Sequence, residues 1–270
     1  MSSPQNPWSE PTPFPLPEQP APVTVIPAED PGWSGWDVLQ IVLLTFASVF
    51  VFLSLVGVAA HRLLYPKVPI LEVMMYPLVA VLGQGLAYLL ILGFMVSIVK
   101  RVPGQDFRLA IRWNWPKNWA TYVLAGVTLS FALQGLAHFL PIPKQLPMDR
   151  FFRTPAEAWA LSLFGVTFAP LLEELFFRGF LYPVLVRRFG IAIAVLATAA
   201  GFSIIHAPQL GRAWGPVLVI FIVGLALTIT RAATKSVAPG FLMHVAYNGT
   251  ISVLLFAGTG GFRHLERLSQ

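Results

Sequence analysis

The chain contains no cysteine. Disulfide frameworks, thiolate nucleophiles and cysteine-held metals are therefore excluded, and any metal would have to rest on histidine and carboxylate. Charge is scarce as well. Only 11 % of the 270 residues are charged and 56 % are apolar, whereas ordinary soluble domains carry about 25 % charged residues. That imbalance implies a polytopic membrane protein. Lysine and arginine form no nucleic-acid-like run. The net charge of +6 is scattered between apolar segments, which suits loops facing anionic headgroups and speaks against nucleic acid as a partner. The first 36 residues have no Lys or Arg, but hold four acids and ten of the 24 prolines. A secretory signal needs a basic start and an apolar core, and this segment has neither. It reads as a disordered, partly polyproline tail, with Trp33 and Trp36 as interfacial anchors. No internal repeat or linker points to a second domain.

Long hydrophobic runs fill the remainder. Crossing roughly 30 Å of hydrocarbon takes about 20 apolar residues in a helix. Seven segments are expected to span, at 38–60, 71–99, 119–140, 156–186, 191–206, 214–230 and 237–257. The predicted fold is all-α, a polytopic membrane helical bundle of about seven helices, with six to eight compatible. The second connection, with Lys100, Arg101, Arg108, Arg112 and Lys117 beside Trp113 and Trp115, reads as a cytoplasmic interfacial segment. Seven spans would then put the amino terminus in the cytoplasm. Summed over all connections, the two orientations differ by about one basic residue, which leaves orientation open.

Three polar constellations interrupt the last hundred or so residues. The first is Glu173-Glu174-Leu-Phe-Phe-Arg178, inside an otherwise apolar stretch. A charge at the centre of a membrane helix costs about 2.5–3.5 kcal/mol even on lenient scales, so such groups pair, face a polar cavity or carry function. Glu174 and Arg178 share a helix face and form an expected ion pair. Glu173 is rotated by about 100° from its neighbour and keeps a free carboxylate. Pro170 is expected to loosen or kink this helix. The second is Phe202-Ser-Ile-Ile-His206, with Pro208 ending the helix. The third is His244-Val-Ala-Tyr-Asn248, whose His and Asn offer two donors from one face; Ala246 and Gly249 would permit close helix approach. Singly, these read equally as an ion-pair lock, an interfacial histidine or a helix–helix clamp. Ser203 lies beside the histidine motif with no Ser-His-Asp arrangement around it.

Glu-Glu-x-x-x-Arg, Phe-x-x-x-His and His-x-x-x-Asn, in that order on separate membrane helices, resemble the CPBP family of CAAX prenyl endopeptidases and bacteriocin-processing proteins, also called Abi. The likeness runs from about Trp159 to Ala257. It divides the chain into a tail (1–36), amino-terminal transmembrane helices with an interfacial loop (37–155), a catalytic membrane domain (156–258) and a short polar tail (259–270). The resemblance implies an intramembrane endopeptidase acting on a membrane-associated peptide or protein. In it Glu173 activates water, His206 holds that water, His244 and Asn248 stabilise the oxyanion, and Glu174, Arg178 and Phe202 support them. A metal-free glutamate mechanism is expected. Zinc is the alternative, its candidate ligands being Glu173, His206 and His244, although the chain has no His-Glu-x-x-His helix. An inactive scaffold or resistance factor of the same family is the competing function, and a proton-coupled transporter a further one; the transporter predicts polar residues spread over both halves. The expected location is the lipid bilayer, as a multi-pass protein of a prokaryotic plasma membrane.

Overall fold

The structure, a computed structural model, describes residues 31–143 and 146–266. Most of the expected tail, residues 1–30, and the last four residues lie outside the described residues. Everything regular in the described residues is helical. Helix α1 (Gly35–Leu63) starts at a capping box in which Ser34 and Asp37 satisfy each other's backbone N–H, the arrangement that closes the open donors of a first turn. The expected second span divides into α2 (Ile70–Met74) and α3 (Pro77–Val99). The cause is Pro77, which disfavours helical backbone at the residue before it; Tyr76 is extended, at φ −71° and ψ 130°. A short α4 (Phe107–Ala110) lies in the basic connection, and α5 (Trp119–Ala137) follows it. The chain ends with α9 (Trp214–Thr234) and α10 (Val237–Gly258).

Between them lies a helical run of 52 residues, Pro155–His206, one of six helices long and apolar enough to cross a membrane. It is made of α6 (Pro155–Leu163), α7 (Ala169–Glu174) and α8 (Tyr182–His206), joined by two wider turns at Phe164–Phe168 and Leu175–Leu181. In those turns the bonding skips to the fifth residue back: Ala169 N–H meets the Phe164 carbonyl and Tyr182 N–H the Phe177 carbonyl. Such π turns often mark functional segments. At Pro170, where loosening or a kink is expected, the run continues unbroken and the helix widens just before it.

The run nevertheless contains two of the seven expected segments, because it reverses at Gly190. Residues 177 and 202 would be about 37 Å apart in one unbroken helix, yet the rings of Phe177 and Phe202 lie 5.3 Å apart. Gly190 has φ 78° and ψ 171°, a region open essentially to glycine alone. Its position also sets a register. Glu173 precedes Phe177 by four residues and His206 follows Phe202 by four, so the two meet at one level of the hairpin. Gly190→Ala is therefore expected to cost about 1–3 kcal/mol in backbone strain. Thermal unfolding in detergent would measure it, and a wild-type melting temperature would show that the turn does not require glycine.

Helix α1 packs on α3, α5 on α10, and α8 on α9. The α5–α10 contact is close because Gly126 has no side chain: a Cβ there would stand 2.2 Å from the Met243 carbonyl oxygen and 2.8 Å from Ala246 Cβ. Ala246 thus sits in a close approach as expected, whereas beside Gly249 the nearest atom to such a Cβ is at an ordinary 3.8 Å. Two apolar clusters flank the run. One joins Ile41, Ile91, Met95 and Ile98 to Leu175 and Phe180; the other joins Val223, Leu227 and Met243 to Phe177 and Phe202. Outward faces carry exposed apolar side chains such as Phe46 and Phe50 on α1 and Leu124 and Phe131 on α5, the surface a bilayer covers. Trp36 is exposed too, but Trp33 is not the interfacial anchor expected. It is buried, stacks on Phe180 at 4.4 Å, and donates its indole N–H to the Phe180 carbonyl at 3.0 Å.

Candidate active site

Glu173 and Glu174 end α7, where the helix passes between the two apolar clusters. Glu174 and Arg178 are wholly buried and paired, Arg178 Nη1 lying 2.8 Å from Glu174 Oε1. Burying a charge demands partners on every side. Arg178 finds them: its Nε donates to Thr228 Oγ1 at 3.2 Å, its Nη2 donates to the Gly224 carbonyl at 3.0 Å, and its guanidinium lies over the Phe202 ring at 4.7 Å. Glu174 Oε1 also meets His244 Nδ1 at 3.0 Å. An ionised carboxylate can only accept, so Nδ1 of His244 carries the hydrogen. His206 is fixed in the same sense, since its Nδ1 lies 2.7 Å from the Phe202 carbonyl oxygen.

With both Nδ1 atoms committed, the Nε2 atoms turn to Glu173. His206 Nε2 lies 3.8 Å from Glu173 Oε1, and His244 Nε2 lies 3.7 Å from Glu173 Oε2. These separations exceed a direct hydrogen bond and suit a bridging water. Phe202 holds the two imidazoles in place, with its ring 4.8 Å from His206 and 5.7 Å from His244. The fold thus gathers Glu173, Glu174, Arg178, Phe202, His206 and His244 at one point. Asn248 is engaged differently: its Nδ2 donates to the Gly165 carbonyl at 2.7 Å. Ser203 Oγ donates to the Ala200 carbonyl of its own helix at 3.0 Å.

Two imidazoles and a carboxylate are suitable donor types for zinc. Ligand atoms about 2.0–2.2 Å from a tetrahedral ion stand about 3.3–3.6 Å apart, slightly closer than the 3.7 and 3.8 Å separations here. Among the described residues, no group of three or more His, Asp or Glu side chains is arranged to hold a metal ion.

An apolar cavity of about 170 Å³ adjoins Glu173, with Ile41, Thr45, Phe46, Tyr88 and Leu172 among its walls. Phe46 is largely exposed, so the cavity borders the outer face of the bundle. The Tyr88 hydroxyl accepts from Gln84 Nε2 at 2.7 Å, and its ring stacks on Phe164. Neither residue stood out in the sequence, because a tyrosine and a glutamine in an apolar run carry no charge to betray them. Arg231 did carry such a signal. The expected sixth span stopped at Thr230, which left Arg231 as a loop charge, but α9 continues to Thr234 and Arg231 is buried.

Residues 155–250 match the family model described as Type II CAAX prenyl endopeptidase Rce1-like. The matched stretch begins at the first residue of α6, contains all three motifs, and amounts to less than half of the chain. No curated protein and no solved structure matches the chain. Over this stretch the chain is similar to CAAX-protease-type intramembrane peptidases, the group its motifs resemble.

Proposed function

We propose that this protein is an intramembrane endopeptidase in which Glu173 activates water against a peptide bond of a membrane-associated substrate. The observation that carries the reading is the position of Glu173, 3.7–3.8 Å from two imidazole Nε2 atoms and at the wall of an apolar cavity. Glu173 takes a proton from the water held between it and His206, and the water oxygen attacks the scissile carbonyl carbon. His244, its Nδ1–H held by Glu174, presents Nε2–H to the oxyanion as an imidazolium. One amide hydrogen of Asn248 goes to Gly165, and the other remains for the same oxyanion. Such a donor contributes about 3–4 kcal/mol to transition-state stabilisation. As the tetrahedral intermediate collapses, the C–N bond breaks and protonated Glu173 returns its proton to the leaving amine. Arg178 offsets the charge of Glu174, so that Glu173 is the carboxylate left to act as base. The setting is the plasma membrane of a prokaryote, and the mechanism is metal-free.

Membranes carrying wild type, Glu173→Ala or His206→Ala are to be compared by the peptides they release. The expected result is a set of cleavage products present only with wild type; identical peptide sets from all three would refute the peptidase reading and favour a scaffold. Purified enzyme is expected to keep its activity after chelation. Activity lost to the chelator and restored by zinc would overturn the metal-free mechanism.

A further inference from the structure

The two π turns flanking Glu173 and Glu174 share a construction. In the wide register, each N–H bonds the carbonyl five residues back, as Ala169 does to Phe164 and Tyr182 does to Phe177. The next residue is a proline in both cases, Pro170 and Pro183, and proline has no N–H. The register therefore leaves one carbonyl without a backbone donor in each turn, that of Gly165 in the first and Arg178 in the second. A buried carbonyl needs a partner. In both turns a polar side chain from a later helix supplies it. Asn248 Nδ2 of α10 donates to the Gly165 carbonyl at 2.7 Å, and Arg231 Nε of α9 donates to the Arg178 carbonyl at 3.1 Å.

The second clamp touches the site most directly. Arg178 carries the carbonyl that Arg231 grips and the guanidinium that holds Glu174, which in turn holds Nδ1 of His244. Arg231 is 1 % exposed and lies over the Tyr182 ring at 5.4 Å, so both ends of its contact are fixed. We propose that Arg231 is a positioning residue: by closing the carbonyl that Pro183 leaves open, it fixes the π turn that aims Arg178 at Glu174, and through that pair it holds Glu174 on His244. Its catalytic consequence rests on the peptidase reading; its effect on His244 does not.

The test uses the full chain in lipid nanodiscs and two readouts. The first is the imidazole nitrogen spectrum of ¹⁵N-histidine-labelled protein, with His244 assigned by substitution. The second is the split of kcat from KM on a peptide released by wild-type membranes. Arg231→Met removes the donor and keeps the bulk. It is expected to move the His244 Nδ1 resonance away from that of an Nδ1–H held by a carboxylate while leaving the His206 resonances in place, and to lower kcat by about 10²-fold, as a displacement near 1 Å does, with KM within about twofold. Arg231→Lys, which keeps a donor and the charge, is expected to recover part of both. Pro183→Ala in the Arg231→Met background returns a backbone N–H to the turn. It is expected to restore the His244 spectrum, and it keeps the test decisive if Arg231→Met alone folds poorly. A His244 spectrum unchanged in Arg231→Met, or unrestored by Pro183→Ala, overturns the proposal. A shifted spectrum with wild-type kcat also overturns it, because the turn would then not position the site. If wild type cleaves nothing while the spectra shift and recover as expected, the clamp stands and the peptidase reading fails.

Discussion

Glu173→Gln is expected to lower kcat by about 10²–10⁴-fold, with little change in stability. The substitution preserves shape and removes only the ability to take a proton. Glu173 has neither the arginine nor the direct histidine contact of its neighbour; its carboxylate meets Nε2 atoms at 3.7 and 3.8 Å and is about 15 % exposed. Its carboxylate makes no direct hydrogen bond among the described residues, and the buried Arg178, for which it is a coulombic neighbour, keeps its direct partner in Glu174, so the folded state is expected to tolerate the amide. The check is kcat and melting temperature measured together on the purified variant. Activity within tenfold of wild type would rule Glu173 out as the base, and equal losses of activity and stability would assign it a structural role.

The opposite outcome is expected next door. Arg178→Met is expected to cost about 3–5 kcal/mol, the usual result of leaving a buried charge without its partner. That is a large part of the roughly 5–15 kcal/mol by which native proteins are stable. Both members of the pair are fully buried, and Glu174 Oε2 already lacks a hydrogen-bond partner among the described residues. The Gly224 carbonyl and Thr228 hydroxyl would lose their guanidinium contacts as well. Adding Glu174→Gln removes the stranded charge and is expected to recover part of the loss. Unfolding titrations of the single and double variants measure this coupling. A single variant as stable as wild type would show that the pair is not the lock the geometry describes.

The contrast between two adjacent glutamates is legible in the sequence. A spacing of four puts Glu174 on the face of Arg178, and the rotation per residue removes Glu173 from that face. The apolar runs likewise announce a helical membrane bundle, because only closed backbone hydrogen bonding survives in lipid. Even the break between the fourth and fifth segments, near Gly190, lies in the sequence. What periodicity does not supply is the hydrogen-bond register inside a helix. A proline reads as a kink, yet Pro170 and Pro183 each follow a π turn whose open carbonyl is closed by a side chain from another helix. That outcome depends on donors 83 and 53 residues away, beyond the reach of any local rule.

By itself, then, the sequence determined the chemical types at the site and the helices that carry them, since both follow from residue identity and short-range spacing. The tertiary structure alone decided their meeting. The reversal at Gly190 brings His206 level with Glu173, the pairing with Glu174 turns His244 Nε2 toward the same carboxylate, and α9 buries Arg231 against the turn between them. The physical reason is that a side chain's partners across helices are set by packing and register, which no single segment encodes.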